Sequence, residues 1–204
     1  MTRRSGGESR APLNLVVLAL LYEEAMHPYR MHKLITERGK DRVVNIRSRN
    51  SIQQIVNRLE RNGLIAATDT ERSGNYPPRT RYTLTEVGRE ELFDSLRRLL
   101  STPAREFPAF PAALSFLAVL PPSTAAELLR GRRAELVELV GRESTETERA
   151  SERLPAVLLI ENDYVIAMHR AEIEWLDHTV EALDSGRLTW DPQELIAQSH
   201  RYEQ

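Results

Sequence analysis

The chain has 204 residues, 41% of them hydrophobic and 28% charged, which suits one large or two small globular domains and excludes a disordered chain. It contains no cysteine, so disulfides, thiolate metal sites and a cysteine nucleophile are excluded, and a reducing compartment fits. The formal net charge of −2 hides an asymmetry: residues 1–100 carry 18 basic and 12 acidic side chains, net +6, whereas residues 101–204 carry 10 and 18, net −8. A basic front half suits a polyanion.

In chain order, residues 1–11 are polar and rich in Gly, Ser and Arg, and are expected to form a flexible arm. The run "PLNLVVLALLY" follows three arginines as a signal peptide would, but it leads into Glu23-Glu24 and has no small-x-small cleavage site. It is also shorter than the roughly 20 residues needed to cross a bilayer. The later run "FPAFPAALSFLAVLPP" is broken by four prolines. No targeting or membrane segment is expected, and the location expected is cytoplasmic.

A helix from about Pro12 to Ala25 is apolar nearly all round and should be deeply buried. His27-Pro28 breaks the chain, with Pro28 suited to the first position of a second helix, about 28–38, that turns Met31, Leu34 and Ile35 to one side. Gly39 is a plausible stop. A third helix follows in "RNSIQQIVNRLERNGLI". Asn50 or Ser51 would cap it, Ser51-x-x-Gln54 fits a capping box, and Gly63 ends it. "LIAATDTER" and "RTRYTLT" read as two strands joined by the turn formers "SGNYPP". In the second strand Thr80, Tyr82 and Leu84 share one face and Arg79 and Arg81 the other. Thr85 caps a fourth helix running to about Leu100. The order helix, helix, helix, hairpin, helix is that of a winged helix-turn-helix over residues 12–100.

Residues 101–108 form a Pro-rich linker. The remainder is helical: a short helix at about 109–120 ended by Pro121-Pro122, a long one capped by Ser123 or Thr124 and running to about Arg153, and a last one from near Pro155 to Gly186. The helical domain is placed at 109–188 and a C-terminal tail at 189–204. The fold class expected is mainly α with a small β-hairpin wing.

The third helix buries Ile52, Ile55, Val56 and Leu59 and turns amides and arginines outward, where a solvated face usually mixes Lys with Glu. A helix entering the major groove needs such groups: Gln and Asn bond adenine bidentately, and Arg bonds guanine. Ser51, Gln53, Gln54, Asn57, Arg58 and Arg61 are therefore the DNA-binding candidates on the helix. Arg47 and Arg49 stand before it, where phosphates would meet its N-terminus. Arg72, Asn75, Arg79 and Arg81 on the hairpin suit backbone or minor-groove contact. Each has a plainer role open to it: Gln54 in the cap, Arg61 paired with Glu60 or Glu37, and a cationic hairpin protecting an edge strand. Helix, wing and charge asymmetry in one order favour double-stranded DNA.

"LNLVVLALLYEEAMHPYRMHKLI", "SIQQIVNRLERNGLI" and "RTRYTLTEVGREEL" together resemble the PadR family of transcriptional regulators, over residues 12–100 and, in layout, through the helical back half. The Leu59-Glu60 … Gly63-Leu64-Ile65 and Tyr82-Thr83-Leu84-Thr85 … Gly88 elements look like that family's shared segments. The MarR family has a similar winged helix, but with more helix before it and less after. Many PadR members carry Tyr-Pro where this chain has Gln53-Gln54, and Gly where it has Pro28, so the base contacts rest on the residues themselves. The resemblance implies a repressor acting as a homodimer through its C-terminal helices. Val157, Ile160, Tyr164, Met168, Leu176, Val180 and Leu183 are the dimerisation candidates, with packing against the preceding long helix as the alternative. It also implies release by a small aromatic effector, for which Phe116, Tyr164, Met168, His169 and Trp175 are candidates as the lining of a pocket between the domains.

No GxGxxG, P-loop or GxSxG is present, and no His pair has the i, i+4 spacing of a helical zinc site. No cofactor, metal or catalytic residue is expected. Two other readings stay open: a ligand sensor that uses its winged helix to bind protein, and a small enzyme with an unrecognised site.

Overall fold

The apolar run near the N-terminus folds as α1, Ala11–Glu23, with Leu13, Val17, Leu18, Leu20 and Leu21 buried and Leu15 and Val16 packed beside them. The structure, a computed structural model, describes residues 11–44, 46, 49–71, 79–104 and 106–195; the arm expected at 1–11 lies outside these except for its last residue. α1 stops two residues short of the expected Ala25 because the chain next pairs with the hairpin. Met26 N donates to Tyr82 O and Tyr82 N donates to Met26 O, each at 3.0 Å.

α2, Pro28–Glu37, opens as expected at Pro28. His27 is its cap, Nδ1 accepting from Arg30 N at 3.0 Å. Met31 and Ile35, one turn apart, are fully buried. Two ion pairs bind this helix to the end of α1: Arg38 reaches both oxygens of Glu23, at 2.6 and 2.8 Å, and Arg30 reaches Glu24 at 2.6 Å.

α3 spans Arg49–Arg61. Asn50 and Ser51 thus lie inside its first turn, and the cap expected there is one the helix start rules out; the residue before Arg49 lies outside the described ones. Ile52, Ile55, Val56 and Leu59 are at most 5% exposed. Together they contribute roughly 6–12 kcal/mol of transfer free energy, before the entropy of ordering the chain is set against it. Gly63, at φ 71°, ends the helix: its N–H donates to Glu60 O at 2.9 Å and that of Leu64 to Leu59 O at 3.0 Å.

β1, Ile65–Glu71, pairs antiparallel with β2, Arg79–Leu84, setting Ile65 opposite Leu84 and Ala67 opposite Tyr82, with an irregularity between Ala67 and Thr70. Tyr82 is buried and Leu84 packs on the same core. α4, Glu86–Ser101, is capped by Thr85, whose Oγ1 accepts from Gly88 N at 3.0 Å and donates to Gly63 O at 2.7 Å. One hydroxyl therefore ties the end of α3 to the start of α4. The approach there is so close that a Cβ on Gly88 would fall 1.9 Å from Leu64 O.

The chain divides into two compact units between Arg105 and Glu106. In the second, α5, Ala109–Leu114, is shorter than expected, and a 3-10 turn takes up Leu117–Val119. α6, Pro122–Ser151, begins at Pro122, with no side-chain cap. The Pro pair starts this helix where it was expected to end the previous one, because Pro lacks the N–H that a first-turn residue has no use for. A 3-10 turn at Ala156–Leu158 leads into α7, Ile160–Asp184. Ion pairs order the two as an antiparallel hairpin: Arg130 with Asp184, Arg133 with Asp177 and Arg132 with Glu172. The core lies at one end, among Ala125, Ala126, Leu129, Leu136, Leu176 and Leu183, with Phe110, Leu114 and Trp190 packed on it. Trp190, placed by the sequence in a tail, donates from Nε1 to Leu120 O at 2.9 Å. Among the described residues no helix is long and apolar enough to cross a membrane.

Candidate nucleic-acid interface

With about 100° between successive helical residues, Glu60, Gln53, Asn57, Arg61 and Gln54 fall on one arc of roughly 120° on α3. All five are exposed. The buried residues occupy the opposite side, so the core fixes which side chains α3 offers outward.

Hydrogen bonds order that arc. Gln53 Nε2 donates to Asn57 Oδ1 at 2.8 Å, and Arg61 Nε donates to Asn57 O at 3.2 Å. Burial pushes the pKa of the Tyr82 hydroxyl on β2 up, the Glu60 carboxylate adds to the rise, and Gln53 opposes it. Arg61 is thus turned along its own helix, toward neither Glu60 nor Glu37.

Other candidates are drawn inward. Arg58 is half-buried and donates to Asn14 Oδ1 on α1. Arg81, also half-buried, donates from Nη2 to Ala25 O at 2.7 Å and so clamps the Met26 bridge. Ser51 is half-buried in the first turn of α3. Arg47, Arg72 and Asn75 lie outside the described residues, and of Arg49 and Arg79 only the backbone is described. Asn14 and Tyr82 were not among the candidates. The one signal for Asn14 was an amide inside an otherwise apolar helix; Tyr82 gave none beyond its place on the core face.

Residues 17–94 match the transcriptional regulator PadR-like family. Over this span the chain is similar to a PadR-like transcriptional regulator. The motif residues now have physical roles in it. Leu59 and Leu64 close the end of α3 around Gly63, Thr85 ties that end to α4, and Gly88 admits the Leu64 carbonyl.

Solved structures share the fold over most of the chain. The crystal structure of Bacillus subtilis PadR in complex with operator DNA is 18% identical, with a TM-score of 0.66 over 84% of this chain and 98% of that one. The same protein in complex with p-coumaric acid is 17% identical, with a TM-score of 0.68 over 85% and 99%. The Vibrio cholerae virulence activator AphA is 19% identical, with a TM-score of 0.64 over 85% and 98%. At these identities the likeness is one of fold. No curated protein matches the chain.

C-terminal to the PadR-like domain, the dimerisation candidates divide. Leu176 and Leu183 are buried and Val180 packs with them in the core shared with α6, so the intramolecular alternative accounts for these three. Val157, Ile160, Tyr164 and Met168, toward the hairpin tip, are 71, 65, 66 and 52% exposed. A polar seam separates the tip from the core: Glu143 Oε2 and His169 Nδ1, 3.4 Å apart, and Thr147 Oγ1 are buried without hydrogen-bond partners among the described residues.

The effector candidates are not gathered into one cavity within this unit. Tyr164 and Met168 share an exposed face, and His169 turns to Glu143. Trp175 packs edge-on against Phe110 with ring centres 6.1 Å apart, and Phe116 is 73% exposed.

Proposed function

We propose that the protein is a cytoplasmic, homodimeric transcriptional repressor that reads an operator with the outer arc of α3 and occludes a promoter. The observation that carries this is the arc itself: amides and an arginine held outward by a fully buried opposite face, in a PadR-like domain. Gln53, Gln54, Asn57 and Arg61 are the base-reading residues of this proposal, and Arg47, Arg49, Arg72, Asn75 and Arg79 its phosphate and wing contacts. Arg58 and Arg81 hold the domain together behind them.

The dimer rests on the exposed stripe Val157, Ile160, Tyr164 and Met168, which one copy leaves facing water. Two half-sites then multiply affinity and selectivity. A small aromatic compound that favours a dimer with mismatched recognition helices would release the DNA. Support for such an effector is the fold shared with a protein solved in complex with p-coumaric acid.

The test is Gln54→Ala with Arg61→Ala in the full chain, read by fluorescence anisotropy on operator DNA and by sedimentation. The reading expects operator affinity to fall at least tenfold while the dimer persists. Unchanged affinity would remove α3 from the interface and favour the protein-binding role for the winged helix.

A further inference from the structure

An exposed primary amide is an ambiguous reader. Turned half a revolution about its last bond, it offers either a carbonyl acceptor or an amine donor to the same base edge. Gln53 and Asn57 do not have that freedom. The Gln53 amine is tethered to Asn57 Oδ1 at 2.8 Å, one helical turn away. The tether leaves Gln53 Oε1 as the outward acceptor. Because Oδ1 is occupied, it leaves Asn57 Nδ2 as the outward donor. Both side chains are exposed, and neither outward atom has a hydrogen-bond partner among the described residues.

We infer that Gln53 and Asn57 act as one composite reader of a single adenine in each half-site, Gln53 Oε1 accepting from the adenine N6 amine and Asn57 Nδ2 donating to adenine N7. The inference rests on α3 being the helix that enters the major groove. The other bases fail for stated reasons. Guanine presents two acceptors, so its O6 would face Oε1 with no proton between them. Cytosine offers the N4 donor without an adjoining acceptor. Thymine offers O4 and a methyl group, which leave Oε1 without a donor. Asn57 has two functions here: through Nδ2 it contacts the base, and through Oδ1 it positions Gln53.

The experiment begins with an operator selected from randomised DNA by the full-length protein. Each adenine of the enriched sequence is then replaced in turn by 7-deazaadenine, which lacks the N7 acceptor, or by unsubstituted purine, which lacks the N6 amine. Binding is measured by anisotropy competition. At one adenine per half-site each replacement should weaken the wild type about tenfold. Both penalties should disappear in Asn57→Ala, and in Gln53→Ala the N6 penalty should disappear while the 7-deaza penalty shrinks; both side chains are exposed and not part of the core. Asn57→Asp separates the two functions. Its carboxylate can still hold the Gln53 amine but cannot donate to N7, so the N6 penalty should persist and the 7-deaza penalty vanish.

An enriched sequence in which no adenine matters, or penalties that survive in both alanine variants, would overturn the inference. A penalty lost in Gln53→Ala but kept in Asn57→Ala would leave Gln53 reading alone and overturn the pairing. No enrichment of any sequence would overturn the α3 reading itself, and the inference with it.

Discussion

Gly88 shows how much one hydrogen atom can decide. Its Cα sits where the start of α4 passes the Leu64 carbonyl, and an added Cβ would lie 1.9 Å from that oxygen and 3.0 Å from Leu84 Cδ1. Both the helix and the strand would have to move, so Gly88→Ala should destabilise the N-terminal unit by about 3 kcal/mol, the upper end of overpacking effects. Thermal unfolding followed by circular dichroism would show it, and an unchanged melting temperature would mean that the junction is loose. Arg58 is a contrasting case. Its hydrogen bond to Asn14 joins α3 to α1 across the chain. Arg58→Ala should therefore lower stability by about 1 kcal/mol and weaken all DNA sequences alike. Loss of discrimination at one base pair would instead place Arg58 in the groove. The sequence could not distinguish these roles, because an arginine on a polar helix face has the same local pattern whether it meets water, DNA or an amide 44 positions away. Thr85 and Gly63 were legible as caps because capping is settled within three or four residues.

Among the elements, those decided locally were the legible ones. α2, β1, β2 and α4 follow from period, turn formers and caps, and their observed bounds lie within one residue of those expected. Two of the errors fall where distant chain intervenes. α1 ends early because Met26 pairs with β2, and Trp190 joins a core built from residues far upstream. The candidate arc of α3 was readable from which residues are polar, but its internal wiring was not, since which amide bonds which is set by side-chain rotamers and not by residue type. The junction of α1 and α2 carries a pH dependence. The hydrogen bond from Arg38 holds the Glu23 carboxyl below its ordinary value of 4.5. A lowered carboxyl stabilises the fold fully above the unfolded value, and that stabilisation is lost as pH falls through the lower folded one. Both side chains are more than 40% exposed, so the pair contributes no more than about 1 kcal/mol. Arg38→Ala should melt earlier than the wild type at neutral pH, with the gap closing as the solution is acidified below the carboxylate range. A gap that is constant with pH would assign the effect to packing.

At the level of the whole molecule, the charge asymmetry and the two units coincide: the basic half carries the PadR-like domain, and the acidic half carries the α6–α7 hairpin. The hairpin tip leaves Val157, Ile160, Tyr164 and Met168 exposed, more apolar surface than a helix pair facing water usually keeps. If a second copy covers it, Ile160→Glu with Tyr164→Glu should give monomers in sedimentation and reduce operator affinity by roughly a hundredfold or more through loss of bivalency. A variant that remains dimeric would move the interface elsewhere. The sequence named these four residues together with Leu176, Val180 and Leu183 as dimerisation candidates, but could not apportion them, because α6 and a second copy compete for residues of the same type.

Specific DNA recognition is open to a single titration. The purified full-length protein is titrated, by fluorescence anisotropy, into the DNA upstream of its own gene with excess random-sequence competitor at several salt concentrations. A DNA-reading α3 should give tight binding that survives the competitor, with log K falling linearly and steeply with log salt as phosphate contacts displace counterions. Absence of binding at every salt concentration would contradict it.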